Sequence, residues 1–189
     1  MNIIPDFDEF PQLAFKAGSE SDYRFFRLKE PHLVATHDTV SDSEAHHILK
    51  LDVFGEPAGL ITFLIDRYRH RQSRRNLFAR LDLVIVLEKF RGLDIANCAT
   101  QGGLLFVLSL YTKQLYSISC LAGHEGMAHI LDNLGFKILA QDKNCQRYEY
   151  HVDRTSEEIL FGQLRESLPE ALKLLNYRSR QRKGELKRK

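Results

Sequence analysis

One short segment of the chain combines the features of an anion-binding site. Arg91 and Gly92 follow a run of apolar β-formers, and an apolar helical pattern begins at Asp94 or Ile95. The sharp turn between strand and helix places N–H groups that lack a helical partner, together with the positive end of the helix dipole, at one point. Such a point binds phosphate, so the segment from Arg91 to Ala96 is the first candidate for chemistry.

A carboxylate precedes this turn by about one strand length. Asp82 stands at the start of the apolar run 83–87. If it faces a substrate cleft, it could accept a proton directly or through a water. The alternative is a structural role, in which Asp82 pairs with Arg80 or Arg75 and holds the end of the strand. The sequence leaves both roles open.

The elements that position these residues follow the order ββ–β–α–β–α–ββ. Alternation and turn residues predict strands at 47–54, 58–66 and 77–87, the first two joined as a hairpin. They are followed by a helix from 94 or 95 to about 111, a strand at 116–121, a helix at 123–133, and a hairpin of 136–141 with 146–152. Gly102 and Gly103 inside the long helix indicate close packing on the sheet or a kink.

The two ends of the chain are less regular. Residues 22–28 could form a short helix begun by Ser19 or Ser21, or an irregular strand, and residues 32–40 could form a strand. We place residues 1–45 as a cover over one side of a core formed by residues 46–152. Helices are expected within 153–176, the first opened by a capping box at 155–158, and a basic, disordered tail at 177–189. The helices could close the sheet or form a homodimer contact.

Composition fits a single water-soluble domain. Of 189 residues, 43% are hydrophobic and 28% charged, which is enough for a core. No apolar stretch reaches the roughly 18 residues of a membrane span, and the acidic N-terminus lacks a signal-peptide pattern, so we expect a cytoplasmic protein. The three cysteines are irregularly spaced, which argues for reduced thiols.

A metal site is not expected. Cys120, His124 and His129 lie close in sequence, but the two histidines are five positions apart and do not share a helix face. A fourth ligand is not evident nearby. Cys120 is therefore interpreted as a buried structural residue.

Positive charge is concentrated in two segments, although the net charge is only +2. Residues 67–80 contain six arginines and no acid, and residues 177–189 contain seven Lys/Arg against a single glutamate. The arginine-rich loop could simply be solvated, could bind nucleic acid or an acidic partner, or could reach a ligand phosphate. The side chains concerned are Arg67, Arg69, Arg71, Arg74 and Arg75.

Two motifs, in this order, resemble those of the GNAT family of acyl-CoA N-acyltransferases over roughly residues 46–152. The first is a strand followed by R-G-x-G-I-G/A, which is R-G-L-D-I-A at residues 91–96. The second is a short helix ending in the turn Leu134, Gly135 and Phe136. The resemblance implies an α/β (α+β) fold with a central mixed, mostly antiparallel twisted sheet flanked by helices.

The resemblance also implies an acetyl-CoA-dependent N-acetyltransferase. Acetyl-CoA, or another acyl-CoA, would be the co-substrate, and a primary amine of unknown identity would attack the thioester directly. Asp82 would be the catalytic base. The cofactor-binding positions implied by the family pattern are Val86, Leu87, Arg91, Gly92, Leu93, Asp94, Ile95 and Ala96.

Three positions depart from the family pattern. Asp94 replaces the second glycine and brings a carboxylate close to the expected pyrophosphate. Leu131 stands where the family often has a tyrosine general acid, and Glu125 replaces an asparagine. These departures motivate a second hypothesis, a catalytically degenerate GNAT-like module that binds nucleic acid or an acidic partner through the arginine-rich loop.

Overall fold

The computed structural model describes residues 13–30, 45–67, 74–111, 113–142 and 145–153, and parts of 155–173. These residues form a seven-stranded sheet with the order β1-β2-β3-β4-β5-β7-β6. The strands are β1 (Leu13–Ala17), β2 (Ala45–Val53), β3 (Glu56–Arg67), β4 (Leu77–Val86), β5 (Leu115–Ala122), β6 (Lys137–Gln141) and β7 (Gln146–His151). β4 and β5 are parallel and the other neighbouring pairs are antiparallel, which confirms the predicted mixed sheet.

Three α-helices with defined bounds lie in the described ranges: α1 (Glu20–Lys29), α2 (Ile95–Tyr111) and α3 (Glu125–Asn133). Ser19 caps α1 by accepting the N–H of Asp22 at 3.2 Å, while the Asp22 carboxylate accepts the Ser19 N–H at 2.9 Å. Of the two predictions for residues 22–28, the helix is therefore confirmed. No helix in the described part of the chain has the length and apolarity needed to cross a membrane.

The described residues 13–29 of the segment that the sequence places as a cover form one strand and one helix. Residues 13–17 belong to the sheet as β1, with Leu13 and Phe15 fully buried. α1 does cover one face, where Phe26 packs against Leu60 and Leu83. The predicted strand at 32–40 and the basic tail at 177–189 lie outside the described residues.

The predicted C-terminal helix is present after β7. The described residues between 156 and 166 are helical, and Leu160 is fully buried in the main core. Asp153 holds the first turn, because its carboxylate accepts the Thr155 N–H at 2.8 Å and the Ser156 hydroxyl at 3.0 Å. This helix therefore helps to close the core.

A β-bulge at Asp82 exchanges the two faces of β4. Thr62 pairs with Leu83 and Phe63 pairs with Leu81, so Asp82 is the extra residue. Leu81 belongs to the core that packs against α2, whereas Leu83 belongs to the smaller cluster that packs against α1. Because of the bulge, β4 contributes buried side chains to the core on the α2 face before Asp82 and to the cluster on the α1 face after it.

α2 packs closely on the sheet through two glycines. A Cβ at Gly102 would lie 2.1 Å from the ring of Phe15, and one at Gly103 would lie 2.9 Å from the ring of Phe63. α2 is one continuous helix across these positions. The glycines therefore serve close packing, one of the two alternatives left by the sequence.

Candidate active site

β4 and β5 separate at their carboxyl ends. Their parallel pairing ends at Leu81 and Cys120, although β4 continues to Val86 and β5 to Ala122. Asp82 directly follows Leu81, the last residue of β4 that pairs with β5. The bulge therefore marks the point of a fork between the two strands.

A cavity of about 580 Å³ borders the carboxyl end of β4, where this strand is no longer paired with β5. Its walls come from β4, from the turn before α2, from the first turn of α2, and from α3. Six predicted cofactor-binding positions line it: Val86, Arg91, Gly92, Asp94, Ile95 and Ala96. The remaining lining residues, which the sequence did not indicate, are Val84, Asn97, His124, Gly126, Met127 and Ile130.

Two predicted positions do not line this cavity. Leu93 is 2% exposed and belongs to the main core, so its side chain fixes the turn to the core. Leu87 packs against both core clusters, and its N–H donates to the carbonyl of Ala58 at 2.9 Å. Both residues support the turn through packing and pairing with the rest of the fold.

The turn before α2 has the backbone of an anion site. Gly92 has φ +67 and Asp94 has φ +58, both in the left-handed region. The first backbone bond of α2 joins the Cys98 N–H to the Asp94 carbonyl at 3.1 Å, which leaves the N–H groups of residues 95–97 without an intrahelical acceptor at the cavity wall. The left-handed backbone explains why glycine suits position 94 and why aspartate is tolerated there.

Arg91 fixes this turn to two other elements. Its Nη2 lies 2.5 Å from Oε2 of Glu30, at the end of α1, and its Nε donates to the Val86 carbonyl at 3.0 Å. The Glu30 side chain is only 7% exposed, whereas the Arg91 side chain is 42% exposed, so solvent reaches one partner of the ion pair and screens it in part. Arg91 therefore ties the anion-binding backbone to β4 and α1.

Asp82 lies on the α1 side of the fork. Its Oδ2 is 3.5 Å from the hydroxyl of Thr62, whose strand partner Leu83 packs towards α1. Burial raises the pKa of the Cys120 thiol to about 12, and the nearby charge of Asp82 adds to this shift. Cys120 thus remains a protonated, buried thiol next to the fork.

The two arginines considered as partners of Asp82 make other contacts. Arg80 forms an ion pair with Asp66 at 3.7 Å. Arg75 donates from Nη1 to the carbonyl of Val152 at 2.5 Å and so ties its loop to the chain after β7. These contacts give both arginines a structural role at the paired end of β4.

The described ends of the arginine-rich loop lie at the end of β4 opposite the anion-binding turn. β4 has ten residues, which span about 30 Å. Arg67 and Arg74 are exposed at that distant end, so they do not reach a phosphate at the N-terminus of α2. Arg69 and Arg71 lie outside the described residues.

The α3 wall differs from the family pattern in its side chains. Leu131 is fully buried in the core and does not line the cavity, so the usual place of the tyrosine general acid offers no hydroxyl. Glu125 borders a separate, smaller cavity of about 320 Å³. His129 is exposed and bonds to the Asn133 side chain at 3.1 Å, away from Cys120.

The sequence matches no family model and no curated protein, but solved structures share its fold. Mutant forms of the spermidine/spermine N-acetyltransferase SpeG from Vibrio cholerae give a TM-score of 0.58 at 13% identity, over 80% of this chain and 98% of that chain. Arabidopsis thaliana Naa50, in complex with the bisubstrate analogue CoA-Ac-MVNAL, gives 0.54 at 13% identity, over 74% and 98%. A GNAT family acetyltransferase from Elizabethkingia anophelis with acetyl-CoA bound gives 0.52 at 10% identity, over 75% and 99%. The chain therefore has the fold of the GNAT acetyltransferases.

Proposed function

We propose that the protein is an acetyl-CoA-dependent N-acetyltransferase that acts on a primary amine. The observation that carries this proposal is the cavity of about 580 Å³, which joins the N-terminus of α2 to the fork between β4 and β5. Two of the three solved structures named above contain acetyl-CoA or a CoA-based analogue. They support an acyl-CoA as the co-substrate.

The residues of the cavity fit the parts of an acyl-CoA. The N–H groups of residues 95–97 and the dipole of α2 suit a pyrophosphate. Val84, Val86, Met127 and Ile130 form apolar walls that suit the pantetheine arm. Beyond Leu81 the edge of β4 that faces the fork is not paired with β5, so its backbone can bond to the arm and to the thioester carbonyl.

Asp82 is suited to receive the proton of the attacking amine. It faces the α1 side of the fork, whereas Val86 and the cavity wall pack with the α2 side of the sheet. The amine would therefore approach from one side and the acyl donor from the other. The neutral amine nitrogen bonds to the carbonyl carbon, Asp82 or a water takes the proton that this nitrogen then loses, and the carbon–sulfur bond breaks to release CoA as a thiolate, which takes up a proton from solvent.

The test is thiol release from acetyl-CoA in the presence of primary amines, including spermidine and short peptides with free amino termini. Asp82→Asn should lower kcat about 100-fold or more and leave the Kd for acetyl-CoA unchanged. Asp66→Asn, which removes the ion-pair partner of Arg80, is the matched control and should retain kcat. An Asp82→Asn enzyme with full kcat would rule out this base, and failure to bind acetyl-CoA would rule out the function.

Asp94 favours a second candidate function. Its carboxylate lines the cavity where a pyrophosphate would lie, which opposes binding of that anion. In this alternative the fold is a non-catalytic module, and the exposed Arg67 and Arg74 bind nucleic acid or an acidic partner. Binding to RNA that weakens with salt and with Arg67→Ala and Arg74→Ala would support it, and salt-independent binding would contradict it.

A further inference from the structure

His124 occupies two environments at once. It is the N-cap of α3, with an extended backbone, and its Nδ1 accepts the N–H of Met127 at 3.2 Å. The same ring lines the cavity of about 580 Å³ and the neighbouring cavity of about 320 Å³. One ring nitrogen therefore holds the helix while the rest of the ring borders the space for a ligand.

The cap bond determines which ring nitrogen can donate. A nitrogen that accepts a hydrogen bond carries no proton, so the neutral imidazole of His124 carries its proton on Nε2. Nε2 is on the far side of the ring from Nδ1, so this N–H is directed away from the α3 backbone. Gly126 leaves room for this arrangement, since a Cβ there would lie 3.3 Å from Nδ1.

The rest of the α3 wall lacks a side-chain donor. The other lining residues that the structure describes on α3 are Gly126, Met127 and Ile130. Glu125, which stands where the family pattern has an asparagine, borders only the smaller cavity and carries a hydrogen-bond acceptor when ionised. Among the described lining residues of this wall, His124 is therefore the one whose side chain can donate to a polar group of a ligand.

The geometry points to His124 as a ligand-binding residue that donates its Nε2–H to an oxygen of the acyl-CoA. This inference rests on the proposed function. The oxygen is an amide carbonyl of the pantetheine arm or a phosphoryl oxygen, both of which are good acceptors. His124 and Asp94 line the same cavity, so a favourable bond from His124 to the ligand would act against the unfavourable effect of the Asp94 charge on binding.

The experiment is calorimetric titration of acetyl-CoA into wild type, His124→Asn and His129→Asn. Asparagine is a good N-cap, so His124→Asn should keep the melting temperature of the free protein. With its oxygen at the cap, the amide N–H groups of the shorter side chain end short of the position of Nε2, so the donor is withdrawn from the cavity. We expect the Kd to rise about tenfold. His129→Asn alters an exposed histidine of the same helix, outside the cavity lining, and should bind as wild type.

The outcomes separate this inference from the proposed function. If wild type binds acetyl-CoA and His124→Asn binds it equally well, the inference is wrong and the proposed function stands. If wild type does not bind, both are wrong. If His124→Asn melts early, His124→Ser supplies a second capped variant, whose hydroxyl is too short to reach the position of Nε2, and equal affinity there also overturns the inference.

Titrations with fragments of acetyl-CoA identify the oxygen that accepts the hydrogen bond from His124. Pantetheine binding that weakens in His124→Asn assigns the bond to the arm, and 3′,5′-ADP binding that weakens assigns it to the phosphates. If both fragments bind wild type and neither is affected by the substitution, the inference is overturned.

Discussion

Substitutions at Asp94 separate the effects of charge and backbone conformation at the anion-binding turn. Asp94 has φ +58, which asparagine and glycine adopt readily and alanine does not. Its exposed carboxylate accepts a hydrogen bond from the Asn97 amide at 3.3 Å. Asp94→Asn therefore removes only the charge, Asp94→Gly removes the charge and the side chain, and Asp94→Ala removes the charge but strains the backbone.

The expected effects follow from the exposure of this side chain. A carboxylate and a phosphate charge about 7 Å apart repel by roughly 0.6 kcal/mol in water and by about 2 kcal/mol at an effective dielectric constant of 20. Because Asp94 is exposed, we take about 1 kcal/mol, which is roughly a fivefold change in Kd. Asp94→Asn should thus bind CoA about fivefold more tightly at low salt. Asp94→Ala should lower the free energy of unfolding by about 1 kcal/mol.

The assay is calorimetric titration of CoA at 50 and 500 mM salt, with urea denaturation of each variant. The gain in affinity for Asp94→Asn should shrink at high salt, because salt screens exposed charges. Asp94→Asn that binds no better than wild type at low salt would refute the electrostatic reasoning. Asp94→Ala as stable as Asp94→Asn would refute the conformational reasoning.

Two further predictions concern the core. Gly102→Ala should lower the free energy of unfolding by about 2 kcal/mol, because the new Cβ would lie 2.1 Å from the buried Phe15 ring. This loss should exceed the gain from the higher helix propensity of alanine. Urea denaturation tests the prediction, and a stabilised variant would contradict it. Burial lowers the pKa of His47 from its usual 6.5, and Nε2 lies 2.8 Å from the Tyr111 hydroxyl. The unfolded chain therefore binds this proton more readily, so the stability that is present above about pH 6.5 should be lost as the pH falls from that value through the lower pKa of the folded state. His47→Gln should flatten the pH dependence of the melting temperature, and an unchanged slope would contradict this assignment.

The central elements could be predicted because their signals are local. Alternation and turn residues located β2 to β4, and the segment from Arg91 to Ala96 located the start of α2. β1 was missed because its five residues carry too short a pattern, and only its pairing with β2 identifies it. The bulge at Asp82 was likewise invisible, since it is defined by the register against Thr62 and Phe63.

Of the two walls of the candidate site, only the one formed by the end of β4 and the turn before α2 was predictable from the sequence. The turn and the end of β4 are contiguous in sequence, so one motif indicated most of that wall. The α3 wall belongs to a helix that begins about thirty residues later, and the parallel pairing of β5 with β4 brings His124, which follows β5, to this cavity. The Arg91 to Glu30 ion pair joins positions about sixty residues apart, and it depends on where α1 ends.

The most direct test of the acyl-CoA site is a thermal-shift titration with acetyl-CoA of wild type, Ala96→Glu and Ser109→Glu. Ala96 lines the cavity, and a glutamate there suits the helix N-terminus but places a carboxylate in the anion site. Ser109 is exposed near the other end of α2. We predict that acetyl-CoA stabilises wild type and Ser109→Glu and does not stabilise Ala96→Glu. No stabilisation of wild type at millimolar acetyl-CoA, or equal stabilisation of Ala96→Glu, would contradict the proposed site.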